Sequence, residues 1–443
     1  MTVSDSQLAA VIMAGGLGTR MKSEVPKHLH GLLGRRVVDW VLESAEETGA
    51  DPLVVVASPE TKDLYDGAMV AVQERPLGTG DAVASARQVL SGFHGPVLVL
   101  DAAAPLLTPE VLRGLLDAHR RERATVTLLT FEPDDPLPYG RIIRDESGEI
   151  RSVVEEKDAS PDEREVRELN ASTYVFDAAA LWQALEDLDA ANAQGEVYLT
   201  DAIARIVDAG GRAAAHRSLD PLAPLGINNR AELAVAAAAL RDRVNERHML
   251  AGVTIIDPAT AWIDAGVELE PDVVIHPFTV LRGTTRVERG AEIGPHVVAV
   301  DAVVGPGALV GPFCYLRPGT VLGAHSKAGT FVEVKNSSLG EGTKVPHLSY
   351  IGDAEIGDGT NIGAGNITAN LPPHPGREKQ RTRIGRNVKT SIHTSFVAPV
   401  EIGDDSWTAA GSVITDDVPP GSLAGFPPRQ TTKEGYVHDQ RDD

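Results

Sequence analysis

A short period, in which an aliphatic residue is followed by glycine, runs through the chain after Ala251. Its members are Ile293-Gly294, Val304-Gly305, Val310-Gly311, Leu339-Gly340, Ile351-Gly352, Ile356-Gly357, Ile362-Gly363, Ile384-Gly385 and Ile402-Gly403. Spacings of five or six residues recur, and such a period is typical of a three-sided parallel β-helix. We expect the aliphatic side chains to point inward and stack between coils, while glycine allows the corners. A longer interruption, residues 371–381, is expected to protrude as a loop.

The N-terminal part has a different pattern, in which short aliphatic or β-branched runs alternate with stretches of helical character. The runs are residues 9–14, 52–57, 96–100 and 125–130. This alternation predicts an α/β domain with parallel strands and crossover helices over residues 1–228. Residues 229–250 contain neither Gly nor Pro and are rich in Ala, Leu, Arg and Glu, which predicts one long connecting helix. The β-helix with its C-terminal tail is expected over residues 251–443.

Charge and cysteine content narrow the class of protein. The 443 residues carry a formal net charge of -22, so most of the surface repels nucleic acid, although local basic pockets for phosphates remain allowed. The single cysteine, Cys314, excludes an intrachain disulfide and is best explained by packing. No signal-peptide pattern and no apolar stretch of the roughly 18 residues that span a bilayer is found. We expect a cytoplasmic protein without a nucleic-acid partner or a membrane span.

A glycine-rich segment follows the first predicted strand. It reads Ala14-Gly15-Gly16-Leu17-Gly18-Thr19-Arg20-Met21, and Pro26-Lys27 comes after four further residues. Glycines let backbone amides approach a triphosphate, while Arg20 and Lys27 supply positive charge for its phosphates during attack by a sugar phosphate. A glycine-rich turn alone is as typical of a purely structural turn as of a phosphate-binding one. The combination with Arg20 and Lys27 is more specific and indicates that both cations take part in catalysis.

This segment resembles the sugar-1-phosphate nucleotidylyltransferases, and further matches follow in order. They are Gln73 with Leu77-Gly78-Thr79-Gly80, Tyr139-Gly140-Arg141, Glu155 before Lys157-Asp158, Asn170, and Gly226-Ile227-Asn228-Asn229-Arg230. The nucleotide ligands that the resemblance implies are Ala14, Gly15, Gly16, Lys27 and, for the uracil, Gln73, Gly78 and Thr79. The implied ligands of an amino sugar are Gly140, Glu155 and Asn170. Each polar residue alone is more typical of a cap or surface group, so the ordered set carries the interpretation.

The β-helix narrows the resemblance. It carries the segments Leu316-Arg317-Pro318-Gly319, Phe331-Val332-Glu333-Val334-Lys335-Asn336, His347-Leu348-Ser349-Tyr350-Ile351-Gly352-Asp353 and Asn361-Ile362-Gly363-Ala364-Gly365. Through these segments the chain resembles the family of bifunctional N-acetylglucosamine-1-phosphate uridylyltransferase/glucosamine-1-phosphate N-acetyltransferase enzymes. The resemblance covers nearly the whole length of the chain. The resemblance implies a Rossmann-like α/β nucleotidyltransferase domain, a connecting helix and a left-handed parallel β-helix.

The same resemblance implies two consecutive reactions. Such enzymes acetylate glucosamine 1-phosphate with acetyl-CoA and then couple N-acetylglucosamine 1-phosphate to UTP. The product is UDP-N-acetylglucosamine, a precursor of peptidoglycan and lipopolysaccharide, and the second reaction uses Mg²⁺. Left-handed β-helices of this kind pack against copies of themselves, and the family's acetyltransferase pocket is built from adjacent subunits, so a homotrimer is expected.

Acetyl transfer to an amine needs a base for the proton, cations for the sugar phosphate and a dipole for the thioester oxyanion. His347, whose residue type has an unperturbed pKa of about 6.5, matches the family's general base. The other matches are Arg317 and Lys335 for the sugar phosphate, Tyr350 and Asn361 for the sugar, and Ala364, Asn370 and Ala410 for acetyl-CoA. A lone histidine in a β-helix is more often structural, and here the flanking motif favours the catalytic interpretation.

The metal site departs from the family pattern. The family has a Gly-Asp pair before Pro-Leu, and the Asp holds magnesium together with an Asn that matches Asn228. This chain has Asp101-Ala102-Ala103-Ala104-Pro105-Leu106, so Ala103 occupies the Asp position. A methyl group cannot ligate magnesium, which prefers oxygen ligands. Asp101 is a candidate substitute, on the same face if the strand continues but roughly 6 to 7 Å along it.

The acetyl-CoA site departs in two places. The family's Asn-Tyr-Asp-Gly appears as Asn370-Leu371-Pro372-Pro373, followed by a few extra residues, so an aromatic contact is lost. The family's CoA-binding arginine aligns with Pro427, and Arg429 lies two positions later. The resemblance therefore supports CoA binding less strongly than it supports the chemistry at His347.

Three hypotheses follow from these matches and departures. The first is the full bifunctional enzyme. The second is an acetyltransferase whose N-terminal domain is inactive because position 103 holds Ala in place of the metal-binding Asp. The third is another sugar-1-phosphate nucleotidylyltransferase whose β-helix serves only assembly. Arg317, Lys335, His347 and Tyr350 argue against the third, because an assembly domain does not need them.

Overall fold

The computed structural model describes residues 7–16, 18–133, 138–186, 188–371, 378–425 and 430–434. The chain forms two compact units, with the division between Leu240 and Arg241. Among the described helices, none is long and apolar enough to cross a membrane. Pro427 and Arg429, the predicted region of the CoA-binding arginine, lie outside the described residues, as do Pro372 and Pro373.

The N-terminal unit is built on a twisted sheet. The strands of this unit are β1 (Leu8–Ala14), β2 (Gly31–Leu32), β3 (Arg35–Arg36), β4 (Ala50–Ala57), β5 (Met69–Val72), β6 (Pro96–Asp101), β7 (Val126–Phe131), β8 (Arg141–Arg144), β9 (Ile150–Val154), β10 (Leu169–Asp177) and β11 (Ala213–Arg217). Strands β2 and β3 form a small separate hairpin, and the others belong to the main sheet. The order across the main sheet is β11-β7-β10-β6-β1-β4-β5, and the β8–β9 hairpin joins the edge of β10. The four predicted runs correspond to β1, β4, β6 and β7.

Helices cover both faces of this sheet. They are α1 (Val37–Glu47), α2 (Thr79–Ser85), α3 (Pro109–Glu122), α4 (Pro161–Arg164), α5 (Ala178–Glu186), α6 (Leu199–Asp208) and α7 (Arg230–Leu250), with short 3-10 helices at Thr19–Met21, Lys27–Leu29 and Lys62–Leu64. Along β1, Ala9 and Val11 pack in one core with α2, α5 and α6, whereas Ala10 and Ile12 pack in the other with α1 and α3. Burial on both faces explains the nearly continuous apolar run of β1.

The expectation of parallel strands is wrong at β10. This strand runs antiparallel to both of its neighbours, β6 and β7, while the other neighbours along the main sheet are parallel. Between β7 and β10 the chain forms the β8–β9 hairpin and the four-residue helix α4. The described residues of this segment thus form a hairpin in place of a crossover helix, and the chain enters β10 at the end of the sheet where β7 leaves it.

The C-terminal unit is a left-handed parallel β-helix with three faces. The strands of the first face are Thr254–Ile255, Val274–Ile275, Glu292–Ile293, Leu309–Val310, Lys327–Thr330 and Lys344–His347. Single bridges continue this face through Asn361 and Lys389 to Trp407–Thr408, which pairs with Leu423–Ala424. The second face comprises Trp262–Ile263, Val280–Arg282, Val298–Val300, Tyr315–Leu316, Glu333–Lys335, Tyr350–Gly352, Ile367–Ala369, Ser395–Val397 and Val413–Ile414. The third comprises Glu268–Leu269, Arg286–Val287, Val303–Val304, Val321–Leu322, Ser338–Leu339, Ala354–Ile356, Thr382–Ile384 and Val400–Ile402.

Stacked aliphatic side chains fill the inside of the β-helix. On the third face, one inward position in seven consecutive coils is occupied by Val287, Val304, Leu322, Leu339, Ile356, Ile384 and Ile402. These seven side chains are at most 3% exposed. Each strand is too short to be stable alone, so the stack between coils is the core of this unit. The predicted fold class is confirmed, while the bounds at residues 228 and 251 stay predictions because the division at Leu240 falls inside α7.

On the third face, the glycines after the stacked residues serve a different purpose from the one expected, whereas Gly294 and Gly311 on the first face do have a positive φ. Gly340 and Gly357 do not have the positive φ that would mark a left-handed corner. A Cβ at Gly357 would lie 2.7 Å from the backbone carbon of Gly385 in the next coil, and one at Gly340 would lie 2.7 Å from the backbone nitrogen of Asp358. Close approach between coils therefore requires glycine at these positions.

Two candidate active sites

A cavity of 310 Å³ lies beside the carboxyl end of β6 in the N-terminal unit. Its lining includes Arg20, Asp101, Tyr139, Gly140, Glu155, Ala171, Ser172, Gly226, Asn228 and Glu232. Four predicted site residues, Arg20, Gly140, Glu155 and Asn228, thus border one space, although they come from distant parts of the sequence. The carboxyl end of a strand in an α/β sheet is the usual place for a ligand site.

Two cations and two oxygen ligands meet at this cavity. The Lys27 ammonium lies 3.2 Å from Asp101 Oδ2 and 3.4 Å from Asn228 Oδ1. Arg20 donates from Nη2 to the same Asn228 oxygen at 3.0 Å. Gly18 permits this arrangement, because its φ is 63° and a Cβ there would lie 2.9 Å from Lys27 Cβ. The two oxygens therefore already converge on a positive charge.

The turn after β6 decides which side chain reaches the cavity. The strand ends at Asp101 instead of continuing, so the spacing expected along a strand does not apply. Asp101 Oδ1 accepts a hydrogen bond from the Ala103 backbone nitrogen at 2.9 Å, which brings its carboxylate back to position 103. Ala103 itself is fully buried, and its carbonyl accepts from the Ile227 nitrogen at 2.7 Å. Asp101 thus brings a carboxylate to the cavity beside Lys27.

Asn228 is oriented by a residue that the sequence analysis missed. Glu232, one helical turn later, accepts from the Asn228 backbone nitrogen at 2.7 Å and from its side-chain Nδ2 at 3.2 Å. These bonds direct the Asn228 oxygen towards the cations. The sequence signal was an Asn followed four residues later by Glu at the start of α7, a spacing that places both side chains together.

The predicted sugar residues divide into lining and supporting groups. Glu155 accepts from the Thr200 hydroxyl at 3.1 Å, and burial raises the pKa of its carboxyl group above the ordinary value. Asn170 is only 2% exposed. Its backbone nitrogen donates to the Gly140 carbonyl at 2.8 Å, and its Nδ2 donates to the Tyr174 hydroxyl at 2.7 Å. Gly140 and Glu155 border the cavity, while Asn170 holds Gly140 from behind.

The predicted uracil residues form a second group beside the glycine-rich turn. Gln73, 5% exposed, donates from Nε2 to the Gly78 carbonyl at 3.1 Å. Gly15 packs so closely on Gln73 that a Cβ there would lie 2.4 Å from its Oε1. The Thr79 hydroxyl accepts from the Leu199 nitrogen at 2.9 Å. Ala14 and Gly16 flank Gly15 at the end of β1, so the structure brings these residues together as the resemblance implied.

A cluster of cations lies at the end of second-face strands in the β-helix. Lys335 Nζ lies 3.2 Å from Asp353 Oδ2, and Arg317 Nη1 donates to Glu333 Oε1 at 2.9 Å from the adjacent coil. Lys379, which the sequence analysis missed, interacts with Lys335. This contact and Asp353 raise the pKa of Lys335, while the same contact lowers the pKa of Lys379.

Asp353 ties this cluster together. It is 6% exposed and accepts from Asn336 at 2.6 Å, from Lys335 and from Asn370. Burial opposes ionisation of Asp353, but the hydrogen bonds from Asn336 and Lys335 outweigh it and lower the pKa of the carboxyl group. Asn370, a predicted acetyl-CoA contact, is itself buried against Asp353. Its place is therefore beside the cations, where it supports Asp353.

The predicted general base, His347, lies in one column along the β-helix axis with Ala364 and Ala410, which were predicted to contact acetyl-CoA. At the corner between the first and second faces, backbone hydrogen bonds join Gly365 N to the His347 carbonyl, His393 N to the Ala364 carbonyl and Gly411 N to the Ile392 carbonyl. His347, Ala364, Ile392 and Ala410 therefore hold the same position in four consecutive coils. Ile392, which is 51% exposed, was missed by the sequence analysis. These residues are called the corner column below.

Tyr350 and Asn361 lie on either side of this column. Tyr350 begins the second-face strand three residues after His347. Asn361 lies on the first face, in register with Lys344, three residues before Ala364. The corner column thus runs between a face that carries Arg317, Lys335 and Tyr350 and a face that carries Asn361.

The fold and these two sites define a nucleotidyltransferase joined to a left-handed β-helix. Residues 10–252 match the family of MobA-like NTP transferase domains. Three relatives named bifunctional protein GlmU are similar along almost their whole length. The protein of Streptomyces coelicolor is 46% identical over 98% of this chain and 94% of its own, that of Mycolicibacterium gilvum 45% over 98% and 93%, and that of Corynebacterium efficiens 43% over 100% and 96%.

This chain belongs to the GlmU family of bifunctional proteins. The family resemblance drawn from the sequence motifs is thereby confirmed.

Proposed function

We propose that this chain acetylates glucosamine 1-phosphate with acetyl-CoA in the β-helix and couples N-acetylglucosamine 1-phosphate to UTP in the N-terminal unit. The observation that carries this proposal is the presence of two separate groups of polar and charged side chains in one chain. One unit brings Arg20, Lys27 and Asp101 together beside Asn228, and the other holds Arg317, Lys335 and Asp353 on the β-helix face that follows His347. UDP-N-acetylglucosamine and pyrophosphate are the products.

In the acetyl-transfer site, His347 acts as the general base. The 2-amino nitrogen of the sugar attacks the thioester carbonyl as His347 takes up its proton, and the carbon–sulfur bond then breaks to release CoA. Arg317, Lys335 and Lys379 are suited to hold the sugar phosphate, because these three side chains bring positive charge to one part of the β-helix. Tyr350 and Asn361 orient the sugar. The apolar side chains of the corner column leave a path for the thioester.

In the uridylyl-transfer site, the phosphate oxygen of N-acetylglucosamine 1-phosphate attacks the α-phosphorus of UTP and pyrophosphate leaves. Arg20 and Lys27 balance the charge of the phosphates, while Gln73, Gly78 and Thr79 bind the uracil. Gly140 and Glu155, with Asn170 behind them, bind the sugar. The proximity of these residues in the structure, together with the chemistry of each side chain, supports these roles.

The donor set fits a divalent metal. Asp101 and Asn228 present two oxygens that converge on the Lys27 ammonium, and one or two protein oxygens with substrate phosphates are a common way to bind Mg²⁺. Asp101 and Asn228 would hold the ion, and Ala103 could not. A bound Mg²⁺ would neutralise charge that develops on the triphosphate. No group of three or more acidic, histidine or cysteine ligands occurs among the residues that the structure describes.

The alternative of an acetyltransferase with a dead N-terminal domain rests on Ala103. The carboxylate of Asp101 at the same cavity favours two activities instead. The alternative of a nucleotidyltransferase with a purely structural β-helix does not explain why Lys335, Asp353 and Asn370 form a buried polar network. Both alternatives predict the loss of one half-reaction.

The test is to assay the two half-reactions separately on one purified preparation. We expect acetyl transfer from acetyl-CoA to glucosamine 1-phosphate and, independently, formation of UDP-N-acetylglucosamine from UTP. Acetyl transfer alone would show that the N-terminal site is inactive. Nucleotide-sugar formation alone would assign the β-helix to assembly.

We also propose that the chain acts in the cytoplasm as a homotrimer. An exposed ring stack supports assembly: Phe278, His296, Phe313 and Phe331 stack with centroid distances of 4.8, 4.8 and 5.2 Å. The three phenylalanines are each about half exposed, and an apolar ladder of this kind marks a protein contact surface. Light scattering should give the mass of three chains. A monomer that still acetylates would contradict the trimer.

A further inference from the structure

A second column runs along the first face beside the corner column. Bridges place Lys344, Asn361, Lys389 and Trp407 in register on four consecutive coils. Each member lies three residues before a member of the corner column, so the two columns rise side by side from His347 towards the C-terminus. The coils between Lys344 and Trp407 span three strand spacings, roughly 14 Å.

Lys389 and Trp407 form an exposed pair at the upper end of this column. The Lys389 Nζ lies 5.3 Å from the centroid of the Trp407 indole ring. Trp407 leaves 52% of its surface exposed, although tryptophan is the side chain with the most apolar area to bury. A flat exposed ring beside a cation offers a base a surface for stacking and a phosphate a partner.

Acidic neighbours do not cancel this positive charge. Asp404 and Asp405, which precede Trp407 in the sequence, both accept hydrogen bonds from residues other than Lys389. Asp404 Oδ2 accepts from Arg386 Nη2 at 2.9 Å, and Asp405 Oδ1 accepts from Asn387 Nδ2 at 2.7 Å. On a chain with a net charge of -22, the first face thus presents local cations at Lys344 and Lys389.

We propose that Lys389 and Trp407 bind the nucleotide end of acetyl-CoA. The adenine stacks on the Trp407 ring, and the Lys389 ammonium binds a phosphate of the same nucleotide. This inference rests on the proposed acetyl transfer at His347. From there the pantetheine arm extends along Ala364, Ile392 and Ala410, over a length that an extended arm can span. The pair thereby supplies the cation and the aromatic surface that the altered segments at Asn370 and Pro427 lack.

Titration calorimetry with CoA tests the site directly. Trp407→Ala should weaken CoA binding roughly 5- to 150-fold, the effect of losing one base–aromatic stack. Lys389→Gln should weaken it about tenfold, the effect of losing a bond to a charged phosphate. Trp262→Ala is the matched control. Trp262 also lies under a cation, with Arg241 at 5.1 Å from its ring, but at the opposite end of the β-helix, so CoA binding should not change.

Acetyl transfer from two donors separates this site from the chemistry. Trp407→Ala should lower kcat/KM for acetyl-CoA by a factor similar to the loss of CoA binding, and leave kcat/KM for acetylpantetheine, which has no nucleotide, unchanged. Equal losses with both donors would overturn the proposal, and so would CoA binding within twofold of the unaltered protein in both variants. A change of mass in light scattering without a change in CoA affinity would assign Trp407 to a subunit contact instead. Failure of the unaltered protein to acetylate would contradict the proposed function, while the CoA titration would still report on this site.

Discussion

Removal of the Asp101 carboxylate should abolish most uridylyl transfer. In Asp101→Ala, the Lys27 ammonium loses its partner at 3.2 Å, and Asn228 remains as the single oxygen ligand of the proposed pair. A metal contributes several kcal/mol of charge stabilisation, and each 1.36 kcal/mol changes the rate tenfold. If half of that stabilisation depends on the carboxylate, the loss amounts to roughly 10²- to 10³-fold in kcat.

The assay is formation of UDP-N-acetylglucosamine at saturating UTP and varied Mg²⁺. Asp101→Ala should shift the Mg²⁺ dependence to higher concentration, and binding of Mn²⁺ followed by electron paramagnetic resonance should weaken in parallel. Asp101→Asn keeps an oxygen that can accept from the Ala103 nitrogen, so it should be less impaired. Acetyl transfer serves as the internal control and should not change, because its residues belong to the other unit.

A relocated carboxylate gives a sharper test. The Ala103 backbone nitrogen lies 2.9 Å from Asp101 Oδ1, but Ala103 itself is fully buried and does not line the cavity. The double variant Asp101→Ala/Ala103→Asp should therefore recover little of the activity that Asp101→Ala loses. Ala103→Asp alone should not help, because it crowds two like charges at a fully buried position. Full activity of Asp101→Ala with unchanged Mn²⁺ binding would refute the assignment of Asp101 as metal ligand.

Three further predictions concern the β-helix and its stability. His347→Ala should lower acetyl transfer by roughly 10²- to 10⁴-fold and leave uridylyl transfer unchanged in the same preparation; equal losses would indicate misfolding. Gly357→Val should lower the melting temperature of the C-terminal unit, because the new side chain would meet the Gly385 backbone and such overpacking costs about 1 to 3 kcal/mol. Gly359→Val is the control for backbone strain alone, because Gly359 has a φ of 65° but no neighbouring atom that a Cβ would meet. Burial lowers the pKa of His248 to about 4, so the unfolded state takes up a proton at a higher pH than the folded state does. As the pH falls from about 6.5 to about 4, the free energy of unfolding should therefore decrease by up to about 3 kcal/mol. Denaturant titrations of His248→Phe should lack that part of the pH dependence.

The β-helix was predictable from the sequence because its repeat is local. Residues such as Ile356 and Ile384 each sit before a glycine, and any coil of this size must place them inside. Family motifs also led to the prediction of His347, Lys335 and Asn228 as site residues. The reason for Gly357 was not predictable, because the backbone of Gly385 that requires it lies 28 residues later in the sequence.

The direction of individual side chains was decided by tertiary structure. The sequence indicated that Ala103 replaces a metal ligand, but only the turn after β6 brings the Asp101 carboxylate to that point, because the turn is held by the Ile227 backbone more than a hundred residues later. The pairing of Lys389 with Trp407 was hidden for a similar reason. Lys344 and Asn361 are 17 residues apart, whereas Asn361 and Lys389 are 28 apart although they also occupy adjacent coils. The inserted residues break the spacing in the sequence, and only hydrogen bonds between coils restore the register that places these side chains in one column.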